Sequence, residues 1–183
     1  MKNSLYILLL TVTSLLSAID LPDREGFSWW EIESIKGAIL VPDGWHTRSV
    51  RQNDALGFFV TKESTKTEEG TFQTGLSLNV FRDFETKHKM NPIIFVDEFR
   101  TKYDDQGAIL KESAKEMGPF QSYSFLTQSI VENVPTTINH LFVLNPQTGT
   151  LYYYFFEAPT LGFEEAWQTG EIIMQQLLID DTI

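Results

Sequence analysis

The sequence predicts one α+β domain: an antiparallel sheet of about six to seven strands covered by helices, an α/β/α sandwich. Three observations carry that prediction. The elements read in the order strands, helix, strands, helix. The clearest pair of strands, TINHLFVLN (137–145) and TLYYYFFEA (150–158), meets across Pro146-Gln147-Thr148-Gly149 and is apolar on both faces, the pattern of a sheet covered on both sides. The chain has 183 residues, 42% hydrophobic and 21% charged. That is enough for one domain with a proper core and too little for two ordinary ones.

The first residues stand apart from the domain. Lys2 is the only charge before Asp20, and LYILLLTVTSLL (5–16) is an unbroken apolar or hydroxyl run followed by Ser17-Ala18. A cationic start, a short apolar stretch and small residues at its end read as a secretory signal over 1–18, cleaved after Ala18. The run is too short for a spanning helix, which needs roughly 20 apolar residues, so no stable membrane insertion is expected after cleavage. The remaining 19–183 is expected to form the single domain, exported to the periplasm or secreted. The chain has no cysteine. An exported protein without disulfides must be held by its core alone, and thiol nucleophiles and Cys-ligated metals are excluded.

Along the domain, FSWWEIESIKGAILVP begins the ordered body, and Gly37–Val41 is a short apolar strand. Pro42-Asp43-Gly44 is a turn, because Pro fixes φ and Gly accepts a positive one. Strands are expected from Trp45 to Arg51 and over ALGFFVTK (55–62), then the polar loop STKTEEG (64–70). Within 72–81, Leu76, Leu78 and Val80 alternate with Ser77, Asn79 and Phe81, a strand with one buried face. A helix follows: Asn91 caps it, Pro92 suits its first position, and Val96, Phe99 and Tyr103 repeat at three and four until Gly107. Two strands are expected near 108–115 and 122–131, then the aromatic pair described above. The last helix runs from about Phe163 to Leu178, with Phe163, Trp167, Gly170, Met174 and Leu177 on one stripe and Glu164 and Glu165 in its first turn. Gly170 costs about 1 kcal/mol against Ala inside a helix, so it marks a close approach to the sheet.

These segments together resemble the PsbP-like group and its Mog-type relatives. The matching features are GAILVPDGW, the strand LGFFVTKE, GLSLNVFRDF before PIIFVDEF, the hairpin HLFVLNPQTGTLYYYFFEAP and the closing FEEAWQTGEIIMQQLL, over about residues 29 to 180. The resemblance implies an exported bacterial member whose relatives serve as accessory subunits or binding proteins and share no catalytic set. It also implies that Trp45 is a core-side aromatic fixing a first hairpin. Of the neighbouring Trp29 and Trp30, adjacent on a strand, one is expected to face outward.

The formal net charge is −11, and from Glu116 to the end there is no Lys or Arg against eight acids. Such a field repels nucleic acid and anionic membrane and favours a basic protein partner, although an acidic surface also serves solubility alone. Catalytic readings fail one by one. Gly75-Leu-Ser77-Leu-Asn79 has Asn where a nucleophile elbow needs its second Gly, and lies in a strand. His46, His88 and His140 share no ligand spacing, and His140 sits on an apolar strand face as a structural histidine. No cofactor motif occurs, and a divalent cation held weakly by surface acids is the one metal the composition admits. The leading expectation is a non-enzymatic exported binding protein. Its contact residues would be Trp29 and Trp30 with Glu164, Glu165 and Glu171. The alternative is a carrier of an apolar or aromatic small molecule in a pocket between sheet and helix; a hydrolase built from scattered acids has no motif behind it.

Overall fold

The computed structural model describes residues 21–52, 54–64, 72–117, 119–176 and 178. The expected signal at 1–18 and the polar loop beyond Ser64 lie outside those residues. Strands β1 (Phe27–Ile32) and β2 (Gly37–Pro42), joined by a 3-10 turn at Glu33–Ile35, pair with each other as a separate two-stranded sheet. The main sheet holds β3 (His46–Gln52), β4 (Ala55–Thr61), β5 (Gly75–Phe81), β6 (Ile109–Met117), β7 (Phe120–Val131), β8 (Val134–Asn145) and β9 (Thr150–Pro159). Its order is β3-β4-β5-β9-β8-β7-β6, antiparallel throughout. Helices α1 (Phe84–His88) and α2 (Pro92–Asp104) connect β5 to β6, and α3 (Phe163–Gln175) follows β9.

This topology explains the two helical layers. β5 lies mid-sheet and β6 at the far edge, so the chain between them must cross one face, and α1 and α2 make that crossing. After β9 the chain returns over the other face as α3, beside the β1–β2 sheet. Asn91 caps α2 as expected, its side-chain oxygen accepting from the Ile93 amide at 2.9 Å. Gly170 is the close approach anticipated: a Cβ there would lie 2.8 Å from the Phe156 ring. α3 stops at Gln175, earlier than expected, and Leu178 instead forms a bridge with Ala38 of β2.

One expectation is corrected. Pro42-Asp43-Gly44 does not turn a hairpin; β2 pairs with β1, and β3 pairs with β4. The reason lies in the two strands. β2 is buried from Ala38 to Pro42 and belongs inside a layer, whereas β3 is polar and suits a sheet edge. Gly44, at φ 77°, lets the chain step from one layer to the other. Trp45 sits at that step, half-buried and packed against the core, so its core-side role stands although the hairpin does not.

The sheet carries a core on each face. Under α3 and β1–β2, Leu76, Leu78, Val80, Tyr152, Tyr154 and Phe156 are at most 1% exposed and meet Ile39, Val41 and Ile173. Under α2, Phe125, Phe142, Leu144 and Leu151 pack with Phe84, Val96, Phe95 and Phe99. Two faces buried on β9 account for the run LYYYFF, in which alternate residues enter different cores.

Candidate functional site

The residues expected to contact a partner fall into distinct places. Trp30 turns inward, its ring edge-on to Phe58 at 5.9 Å. Trp29 takes the opposite side of β1, as alternation requires. Its indole nitrogen donates to the Pro22 carbonyl at 3.0 Å, and its ring lines a cleft with Arg24, Gln175 and Gln176. Glu164, Glu165 and Glu171 are all exposed on α3. Glu164 and Glu165 occupy its first turn, where the helix dipole favours carboxylates.

Glu171 lies beside a groove of about 640 Å³ between α3 and the strands β6–β8. Phe163, Trp167, Glu171 and Met174, spaced by four, four and three, form its helical wall. Phe163 and Trp167 stack with their rings 8° apart. Ser122, Ser124, Asn139 and Leu141 lie on the sheet side. Gln175 donates to Glu171 at 3.1 Å and borders both this groove and the Trp29 cleft. The fold therefore brings Trp29 and Glu171 to neighbouring sides of α3, while Trp30 belongs to the core.

A buried polar network on the α2 face was only partly foreseen. His140 is 1% exposed, and both its ring nitrogens are engaged, by Thr127 Oγ1 at 3.0 Å and the Tyr153 hydroxyl at 2.8 Å. Its ring stacks between Phe125, at 4.7 Å, and Tyr153, at 6.0 Å, under Phe99 and Tyr103 of α2. Burial lowers its pKa to about 4, so the imidazole is neutral at pH 7. Two residues beyond Phe155, the direct cross-strand partner of His140, lies Glu157, 9% exposed. Burial raises its pKa to about 7, and the carboxylates of Glu132 and Glu63 add to the shift. The same burial raises the hydroxyl pKa values of Tyr103 and Tyr153. With both nitrogens of His140 committed, the network reads as a structural link between β7, β8 and β9.

Among the described residues, no three His, Asp or Glu side chains gather as a metal-ligand set. No helix among them is long and apolar enough to cross a membrane.

No protein-family description and no curated protein matches the chain in sequence. Among solved structures, it is similar to cyanobacterial PsbP (CyanoP) from Synechocystis sp. PCC 6803, with a TM-score of 0.57 at 11% identity, over 90% of this chain and 99% of that one. The chain has a PsbP-like fold. Looser likenesses are to PA94 of Pseudomonas aeruginosa, a protein of unknown function (TM-score 0.49, 10% identity, 84% of this chain and 97% of that one). A third is to LpqN of Mycobacterium tuberculosis, involved in cell envelope biogenesis (0.41, 14%, 88% and 83%). Within the PsbP-like fold, the segments that carried the resemblance map onto β2 with its turn, β4, β5 with α2, β8–β9 and α3. Trp29 and the acids of α3 lie on or beside the elements that cover one face of that fold.

Proposed function

We propose that this protein is a non-enzymatic exported factor that acts by binding another protein, through the outward side of α3 and the adjoining Trp29 cleft. The partner surface is basic. One observation carries this reading: from Pro119 to Gln176 there is no Lys or Arg, and α3 presents Glu164, Glu165 and Glu171 to solvent. An acidic helix face of this kind speeds encounter with an oppositely charged surface and repels phosphate-rich or anionic ones. Acids alone give little affinity, and Trp29 beside them supplies the kind of aromatic anchor that interfaces use. The PsbP-like resemblance, which implies accessory and binding roles, supports the same reading by analogy of fold.

The test is capture from an exported fraction by the purified protein at low and at high salt. A specific partner held at low salt and released at high salt is the expected result. A partner that stays bound in high salt removes the electrostatic basis of the proposal.

A further inference from the structure

On the opposite side of the sheet from α3, a cleft of about 610 Å³ opens between the first turns of α2 and the outer strands β6 and β7. Ile93, Ile94 and Val96 of the helix face Ala114, Tyr123 and Phe125 of the strands across it. Val96 and Phe125 are buried in the aromatic core and form the base, whereas Ile93 and Ile94 are 42% and 54% exposed. Adjacent helix positions diverge by about 100°, so at most one of two neighbouring isoleucines is needed by the core. Here both border the same open cleft. The volume lies within the roughly 300–1,000 Å³ of small-molecule pockets.

The charges at the mouth define the head group. Arg100 Nε donates to Glu112 Oε2 at 2.6 Å, tying α2 to β6, and Asp104 approaches the same guanidinium at 3.8 Å. The cation of the cleft is thereby spent on protein carboxylates. Asp97 is the third charge on the lining and also acts on Arg100, more weakly than Glu112 and Asp104 do; counted as Asp97 and Glu112 against Arg100, the mouth keeps a net of −1.

We propose that this cleft binds a single alkyl chain carrying a cationic head group and discriminates against a fatty carboxylate. The chain lies against Ile93, Ile94 and Phe125, and the head rests at Asp97. This site is independent of the protein contact assigned to α3, and either can fail without the other.

The test is calorimetric titration of the protein, purified from cells expressing the whole chain, with alkyltrimethylammonium ions from hexyl to tetradecyl, each below its micelle threshold. Affinity is expected to rise about fourfold per added methylene and to level off once the chain fills the cleft. Dodecanoate is expected to bind about tenfold or more weakly than dodecyltrimethylammonium. Ala114→Trp, at an exposed strand position, fills the cleft and should abolish binding while the thermal melt is retained. Asp97→Lys should reverse the head-group preference, which supplies an answer even where Ala114→Trp does not fold. The proposal is overturned by no binding at millimolar ligand. It is equally overturned by gains that continue without a plateau and ignore Ala114→Trp, the mark of detergent adsorption, or by dodecanoate binding as tightly as the cation.

Discussion

The two faces of the main sheet are built on the same strands and solved differently. Under α3 and the β1–β2 sheet the centre is closed, with Leu76, Leu78, Val80 and Tyr152 all 0% exposed. Under α2 the core is a stack of rings: Phe142 lies flat on Tyr153 at 4.3 Å, and His140 is threaded among them with its polar atoms bonded. The first face depends on close approach, the second on ring geometry and a satisfied polar link. The contrast teaches where each is vulnerable: the first to added volume, the second to removed rings and unpaired polar groups.

The largest effect should come from emptying the ring stack. Phe142→Ala removes a fully buried ring and should cost about 3–5 kcal/mol, read as a shift of the urea midpoint at constant slope. Added volume is the matching test on the other face. Gly170→Val sets a side chain where even a Cβ would meet the Phe156 ring, and should cost about 1–3 kcal/mol. If Gly170→Val is neutral, the close approach of α3 is not what closes that face.

The polar link on the α2 face should announce itself through pH. His140 is held near 4, below its ordinary 6.5. Its stabilising contribution is therefore complete above the unfolded value and lost as pH falls from 6.5 towards 4. Glu157 is raised to about 7 from 4.5. Its contribution is complete below 4.5 and lost as pH rises through 7. Between 4.5 and 6.5 the two slopes oppose one another. Glu157→Gln removes one of them, so the variant's stability should climb with pH across that window, relative to the native protein, by up to about 1.4 kcal/mol per pH unit. An unchanged difference between the two proteins across the window would show that Glu157 is not buried in its protonated form.

The smallest effect concerns the turn between β7 and β8, where Glu132 and Asn133 have φ of 49° and 67°. Both central residues of such a two-residue turn need the left-handed region, which Asn tolerates far better than Glu. Glu132→Asn should raise stability by about 0.5–1 kcal/mol in thermal or urea unfolding. It also removes a carboxylate that acts on Glu157, so part of the Glu157 pH dependence should shrink with it.

These particulars show what the sequence made legible. Strong periodicities were readable: the alternation from Leu76 to Val80, the Asn91-Pro92 start of α2, and a β9 apolar on both faces. Gly170 could be read as a close approach because its helix cost needed a reason. Partner choice among strands was not readable, since the Pro42-Asp43-Gly44 turn fits a hairpin as well as a step between layers. The start of β8 at Val134 was missed because its turn lacks the glycine that usually signals it. α1 was missed because five residues carry too little periodicity to register. At the candidate site, exposure of the α3 acids and the inward turn of one of the two tryptophans were legible from helical and strand spacing. The link from His140 to Thr127 and Tyr153, and the burial of Glu157, depend on strand register, which no local pattern encodes.

The most direct measurement for the proposed role is capture from an exported fraction at low ionic strength by two proteins side by side: the native chain and its Glu164→Lys, Glu165→Lys, Glu171→Lys variant. Bound proteins are identified by mass spectrometry, and the variant is first shown to melt like the native chain. The predicted result is a specific partner of basic surface retained by the native protein, released by salt and lost by the variant. The same partner retained equally by both proteins would contradict an interaction through the acidic face of α3.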